Sequence, residues 1–259
     1  MKLMNTTTGK TRALALSVAL AALTALVGCS QVSAPPPASA QIESTGMQAQ
    51  GTHQGAAIEQ LKSWAMQDSP IAQRELALTY LNWPGHEADA RNWLQQAANN
   101  GDAESQFQLA EALFKGTIGL QADHAQAWAW YEKAALQDHG KASFMLARMA
   151  KYGDGTTQNL QESMRWLLKS GQQGNAQAMF LLSNAYSSGE GIARDEVKAK
   201  EWLEKSAAGD YPVAIQALAM SLDSRDPGNA EQSAANATRA RLLLKEANDE
   251  RLMHWKNYQ

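Results

Sequence analysis

The sequence is poor in several residue types, and each scarcity excludes something. A single Cys in 259 residues cannot form an internal disulfide or frame a cysteine-based metal site. Seven Pro and few β-branched residues argue against a β-sandwich or barrel. There is little net charge: −3, with a sequence pI near 6, gives no general attraction to nucleic acid. What the chain does have is alanine, 47 residues of it, in a composition that is 44% hydrophobic and 19% charged. That is a globular, helix-favouring balance rather than a disordered one, and the length suits one domain or two small ones.

The first 28 residues contain no acid, and Lys2, Lys10 and Arg12 give them a basic start. From Ala13 to Val27 the chain is small or apolar, broken only by Ser17 and Thr24. A membrane span needs about 20 residues, so this run has the length of a signal-peptide core instead. It ends in Leu26-Val27-Gly28-Cys29, which resembles the bacterial lipobox. That resemblance implies that residues 1–28 are removed and that Cys29 is acylated, palmitate included, as the first residue of the mature chain. Each buried methylene of such an anchor contributes about 0.8 kcal/mol. Ser30 stands where an Asp commonly marks retention in the inner membrane, so the expected location is the outer membrane, facing the periplasm. Residues 29–56 hold Pro35-Pro36-Pro37 among Ser, Ala, Gln, Gly and Thr, and read as a flexible tether reaching about 30 Å. Removing the signal takes three of the 23 bases and none of the 26 acids, which leaves a formal charge of −6.

Beyond the tether the chain repeats. Trp93, Trp130, Trp166 and Trp202 follow one another at intervals of 37, 36 and 36 residues. Each sits in a similar phrase, from Ala90-Arg91-Asn92-Trp93 to Ala199-Lys200-Glu201-Trp202, and Leu242 takes the Trp place in a fifth. A second phrase alternates with it: Phe107-Gln108-Leu109-Ala110, Phe144-Met145-Leu146-Ala147 and Phe180-Leu181-Leu182-Ser183. Glycine turns follow it at Gly116 and Gly119, Gly153-Asp154-Gly155 and Gly189-Glu190-Gly191, with a shorter turn at Gly101, Gly174 or Gly209. Each unit therefore reads as helix A, glycine turn, helix B. The spacing predicts eleven helices from about Ala57 onward. A single pair cannot bury its apolar stripe alone, so neighbours must stack.

The run Leu182–Tyr186, Gly189-x-Gly191, Asp195 and Lys198-Ala199-x-x-Trp202-x-x-Lys205-x-Ala207 resembles the Sel-one-like repeat family, a relative of the tetratricopeptide repeat. The resemblance covers about residues 70–225. It implies an all-α fold, a right-handed α-solenoid of stacked helix–turn–helix repeats over 57–259, clearest over about 100–210 and degenerate at both ends. It also implies another protein as the partner, with neither catalysis nor a cofactor.

Candidate contact residues follow from the helical phase. The repeat Trp residues recur once per unit and suit packing between helices. Trp128 lies about 200° from Trp130 around its helix, which leaves two roles open: a partner anchor, or packing against the preceding loop. If helix A lines the concave wall, its outward residues are Gln108, Met145 and Leu181, then Glu111, Arg148 and Asn184 one turn on. The His residues at 53, 86, 124, 139 and 254 are too scattered for a metal site. Gly153-Asp154-Gly155 lacks the Gly-Lys-Ser/Thr ending of a phosphate loop, and Asp195-Glu196 suits a helix start rather than catalysis.

Together these readings describe a lipid-anchored periplasmic solenoid acting by protein–protein interaction. Two sharper roles follow from resemblance alone. One is an immunity protein that neutralises a phospholipase effector delivered by type VI secretion. The other is an adaptor in envelope polymer export or secretion machinery.

Overall fold

The computed structural model describes residues 37–52, 55–222, 235–236 and 238–245. The basic start, the apolar run 13–27, Cys29, the start of the tether, His53 and His254 lie outside the described residues. Eleven helices follow one another: α1 Ser39–Thr52, α2 Gly55–Ala65, α3 Pro70–Leu81, α4 Glu87–Asn99, α5 Ala103–Lys115, α6 His124–Leu136, α7 Gly140–Tyr152, α8 Leu160–Gln172, α9 Ala176–Ser188, α10 Glu196–Ala208 and α11 Pro212–Leu222. Residues 238–245 are helical as well, and no strand occurs among the described residues. From α2 onward each helix packs chiefly on its neighbours in sequence, which is the pattern of a solenoid. The pairs α3/α4, α5/α6, α7/α8 and α9/α10 are the A and B helices of four successive repeats.

Two expectations need correction. The tether is not chain without structure: residues 39–52 form α1, which packs on α2 and α3 and buries Ile42 and Ala49 completely. In the last repeat Leu242 is exposed, whereas Leu243 packs on the α10–α11 cluster, so the register slips by one residue there.

The helix limits are written locally. Asp102, His139 and Asn175 cap α5, α7 and α9 by accepting from the backbone N–H three residues on, and Asp123, Asn159 and Asp195 do the same for α6, α8 and α10. The turns from B to A carry a left-handed residue just before the cap. It is Gly101 or Gly174 in two of them, but Asp138 and Asp210 in others, with φ of 61° and 58°. Asp tolerates this conformation because its short carboxylate engages nearby backbone. Gly209, expected in that role, instead caps α10 at a φ of −91°.

Buried amides and hydroxyls form a ladder along the stack, some rungs within a repeat and some between repeats. Gln73 and Gln106 sit at the same place in α3 and α5, and each donates through Nε2 to a carbonyl at the end of the preceding B helix: Ala65 at 3.0 Å and Ala98 at 3.1 Å. Each also accepts from the residue that caps its own repeat, Asn100 at 2.9 Å and Gln137 at 2.8 Å. In the next repeat Ser143 donates to Gln173 at 2.7 Å. Within the third and fourth repeats Ser170 and Ser206 tie helix B to helix A, donating to the carbonyls of Gly140 and Ala176 at 2.7 and 2.6 Å. The Ala65 and Ala98 carbonyls also accept from the turn N–H groups of Asp68 and Gly101, so Gln73 and Gln106 each add a further hydrogen bond worth about 0.5–1.5 kcal/mol.

The paired glycines have separate jobs. Gly153 ends α7 with a φ of 79° and donates to the Met149 carbonyl. Gly155, at φ 68°, lies so close to the backbone of His124 at the start of α6 that a Cβ would overlap it. Replacing Gly155 with Ala should therefore destabilise the fold by about 1–3 kcal/mol, through strain and overlap together. Ser105 should respond in the opposite sense. Its hydroxyl is buried without a partner among the described residues, and the equivalent places hold Ala72, Ala142 and Ala178. Ser105→Ala is expected to stabilise by about 1 kcal/mol. Urea unfolding of both variants beside the parent measures the two shifts, and equal signs would refute this packing account.

Candidate partner-binding grooves

Because a B helix lies behind each pair of A helices, shallow grooves run between successive A helices. The best formed lies between α7 and α9, floored by α8, and encloses about 240 Å³. Phe144, Ala147, Met164 and Leu167 give it an apolar floor. Arg148, Lys151 and Tyr152 of α7 stand on one side, with Gln177, Leu181 and Ala185 of α9 on the other. Gly191 and Glu190 close one end, where Lys151 pairs with Glu190 at 2.8 Å. Tyr152 and Leu160 at its rim are 65% and 42% exposed, which is unusual for residues beside an apolar floor. A second groove, about 440 Å³, lies between α3 and α5 and is lined by Leu81, Leu94, Gln108 and Glu111 among others.

The structure divides the residues expected to line one wall. Arg148 and Leu181 meet across the α7–α9 groove, while Gln108 and Glu111 line the α3–α5 groove. Glu111 already has partners: it accepts from the Tyr131 hydroxyl at 2.6 Å and pairs with Lys115. Burial, and the Glu111 carboxylate it faces, push the Tyr131 phenol above its usual value. Met145 is partly buried and packs on two apolar clusters, so it serves the core. Asn184 is exposed on α9 and lines neither groove.

Trp128 is half-buried and packs on the same cluster as Ile118 and Leu120 of the preceding turn. The repeat residues Trp130, Trp166 and Trp202 are each half-buried beneath a lysine three residues on, with Nζ 3.7, 5.7 and 4.5 Å from the ring centroid. Sequence reasoning missed Tyr152, Leu160 and Met164. Following the α7 phase one more turn, from Met145 and Arg148 to Tyr152, reaches the first. The other two belong to helix B, which the concave-wall picture leaves out.

A polar hollow of about 560 Å³ lies at the turns from B to A and includes Glu104 and His139. His139 Nδ1 accepts from the Ala142 N–H at 3.1 Å, so Nε2, 3.1 Å from Glu104, carries the proton and donates. That hydrogen bond holds the Glu104 carboxyl down at about 2, over the opposing effect of burial. A depressed carboxyl stabilises the fold above its ordinary value and loses that contribution as pH falls toward 2. Glu104→Gln should therefore unfold at lower urea than the parent at pH 7, with the two midpoints converging between about pH 5 and pH 2. A gap independent of pH would sink this assignment.

Among the described residues, no group of three or more His, Cys, Asp and Glu side chains is placed to hold a metal ion. No helix among them is long and apolar enough to cross a membrane.

The fold has solved counterparts. A Sel1 repeat protein from Oxalobacter formigenes is 23% identical with a TM-score of 0.67, covering 81% of this chain and 88% of that one. The protective antigen c5321 of uropathogenic Escherichia coli strains, which displays an SLR fold, is 25% identical with a TM-score of 0.59. The match covers 74% of this chain and 48% of c5321, so it spans about half of that antigen. Immunity protein PA5088 of Pseudomonas aeruginosa, at 15% identity and a TM-score of 0.49 over 82% and 83% of the two chains, is too distant for any conclusion to pass from it. No curated protein has a matching sequence. The Sel1 repeat model matches residues 70–102, 103–139, 140–175 and 176–211, the four repeats built by α3–α10, and over half of the chain. The chain belongs to the Sel1 repeat family.

Proposed function

We propose that this protein is a membrane-anchored binding protein of the periplasm, which holds another protein in the α7–α9 groove and performs no chemistry on it. The Sel1 repeat fold is commonly a protein–protein interaction module. The observation that carries the reading is the groove itself: exposed Tyr152, Leu160 and Leu181 around a hollow floored by the largely buried Phe144, Met164 and Leu167. Exposed apolar surface of this kind is stabilised when a partner covers it, at about 25 cal/mol per Å² removed from water. The anchor is Cys29, acylated after removal of residues 1–28, and Ser30 favours the outer membrane.

A photo-crosslinking residue at Leu181, in the full-length protein in cells, tests the groove. It should give a discrete adduct with one protein, and Tyr152→Glu should abolish it while Glu132→Ala on α6 leaves it intact. An adduct insensitive to Tyr152→Glu would overturn the reading. The identity of the adduct separates the two partner classes: a secreted phospholipase effector makes this an immunity protein, and an export or assembly component makes it an adaptor.

The anchor has its own test. The parent should take up labelled palmitate and sediment with outer membranes, and Cys29→Ser should do neither. If the parent is unlabelled and soluble, the anchor is wrong.

A further inference from the structure

The α7–α9 groove shares its geometry with a face that the chain already covers. Counted from the first residue of each repeat, the sixth and tenth residues of helix A face the groove shared with the preceding A helix. Gln108 and Ala112 do so on α5, and Leu181 and Ala185 do so on α9. The equivalent residues of α3 are Glu75 and Thr79, and both are buried. Here α1, which precedes the B helix α2 and so holds the place that α7 holds before α9, packs directly on the face and leaves no groove. It presents Ile42, Gly46 and Ala49, all buried, at the i, i+4, i+7 spacing of one helix face. The approach is close because Gly46 has no side chain: a Cβ there would overlap the Glu75 carboxylate. Two polar contacts fix the register. Gln50 donates to Glu75 at 3.2 Å, and Arg74 pairs with Glu43 at 3.1 Å. The first A helix thus shows how this face takes a helix.

From this we infer that the α7–α9 groove, in the binding role proposed above, receives an amphipathic α-helix of the partner, with small and apolar residues on one face and an acidic residue beside them. Three features select that occupant. The groove walls are helices whose backbone groups are already paired internally, so they offer no edge to an extended peptide. An extended segment would lay unpaired N–H and C=O groups over an apolar floor, whereas a helix satisfies its own. The groove encloses about 240 Å³, room for a large apolar side chain over Met164 and Leu167. The charge is set by Arg148. Among the described residues no carboxylate forms an ion pair with it; its guanidinium donates to the Met145 sulfur at 3.7 Å and lies near the Tyr131 phenol. Lys151 beside it is already paired with Glu190. An acid on the docking helix would do for Arg148 what Glu43 of α1 does for Arg74.

Two displayed libraries applied to the full-length protein in detergent test this inference. One is randomised on the surface of a single helix held in a stable scaffold, and the other is of linear peptides. Binders should come from the helical library, carry small or apolar residues at i, i+4, i+7 with a neighbouring Asp or Glu, and weaken about tenfold or more with Leu181→Arg. Arg148→Glu should weaken them about fivefold or more, and replacing the binder's acid with Lys should restore affinity to that variant. Binders that are linear yet lost with Leu181→Arg would refute the helical occupant and leave the groove standing. Helical binders indifferent to both variants would refute it as well. The crosslink at Leu181 independently decides whether the groove binds at all.

Discussion

The ends of the B helices set the terms for the rest of the molecule. Each ends in a tight turn whose N–H groups take its last carbonyls, Asp68 for Ala65 and Gly101 for Ala98. Gln73 and Gln106 add a second donor from the next repeat, and each is oriented by the amide that caps its own repeat. Where Ser143 stands instead, Gln173 reaches back to it and to the Asp138 carboxylate. The bonds from Gln73, Gln106 and Gln173 to Ala65, Ala98 and Asp138 cross from one repeat to the next, so they fix the stacking register. Apolar packing by the alanine-rich faces is less directional and would tolerate more than one register.

With that register fixed, the variation between repeats lies in helix A. Its fifth residue reaches the start of the next A helix by different means: Arg74 pairs with Asp102 at 3.0 Å, Phe107 stacks on His139, and Phe180 meets Tyr211. Its sixth residue determines what becomes of the groove before it. Glu75 lies beneath α1, and burial pushes its carboxyl above the usual range against the pull of Arg74. Met145 turns into the core, and Leu181 borders an open floor. One scaffold therefore offers a covered face before α3, a filled one before α7 and open grooves before α5 and α9.

The repeat and its helix pairs were readable because they rest on local rules. Trp at intervals of 36 or 37, glycine pairs after helix A, and Asp or Asn before α5, α6, α8, α9 and α10 are signals carried within a few residues. The residues that line the α7–α9 groove were harder. Arg148 and Leu181 came from helical phase alone, but the same phase also picked Glu111, whose carboxylate is engaged by Tyr131 twenty residues away, and Met145, which fills core. Residues 39–52 read as tether because their only strong apolar residues are Ile42 and Met47. Their helix is stabilised by what it rests on, through a glycine contact that no hydrophobic pattern reveals.

The sequence by itself determined that the chain is helical, that it repeats, where its helices start and stop, and that one cysteine stands at the end of a signal-like run. Those properties follow from composition, periodicity and capping, which act over a turn or two of chain. The tertiary structure decided which repeat face is covered, which residues of helix B floor the groove, and which charged side chains are already spent on one another. Those outcomes depend on how closely neighbouring repeats approach. That distance is set jointly by side chains some 30 residues apart, and no single repeat contains both halves of the contact.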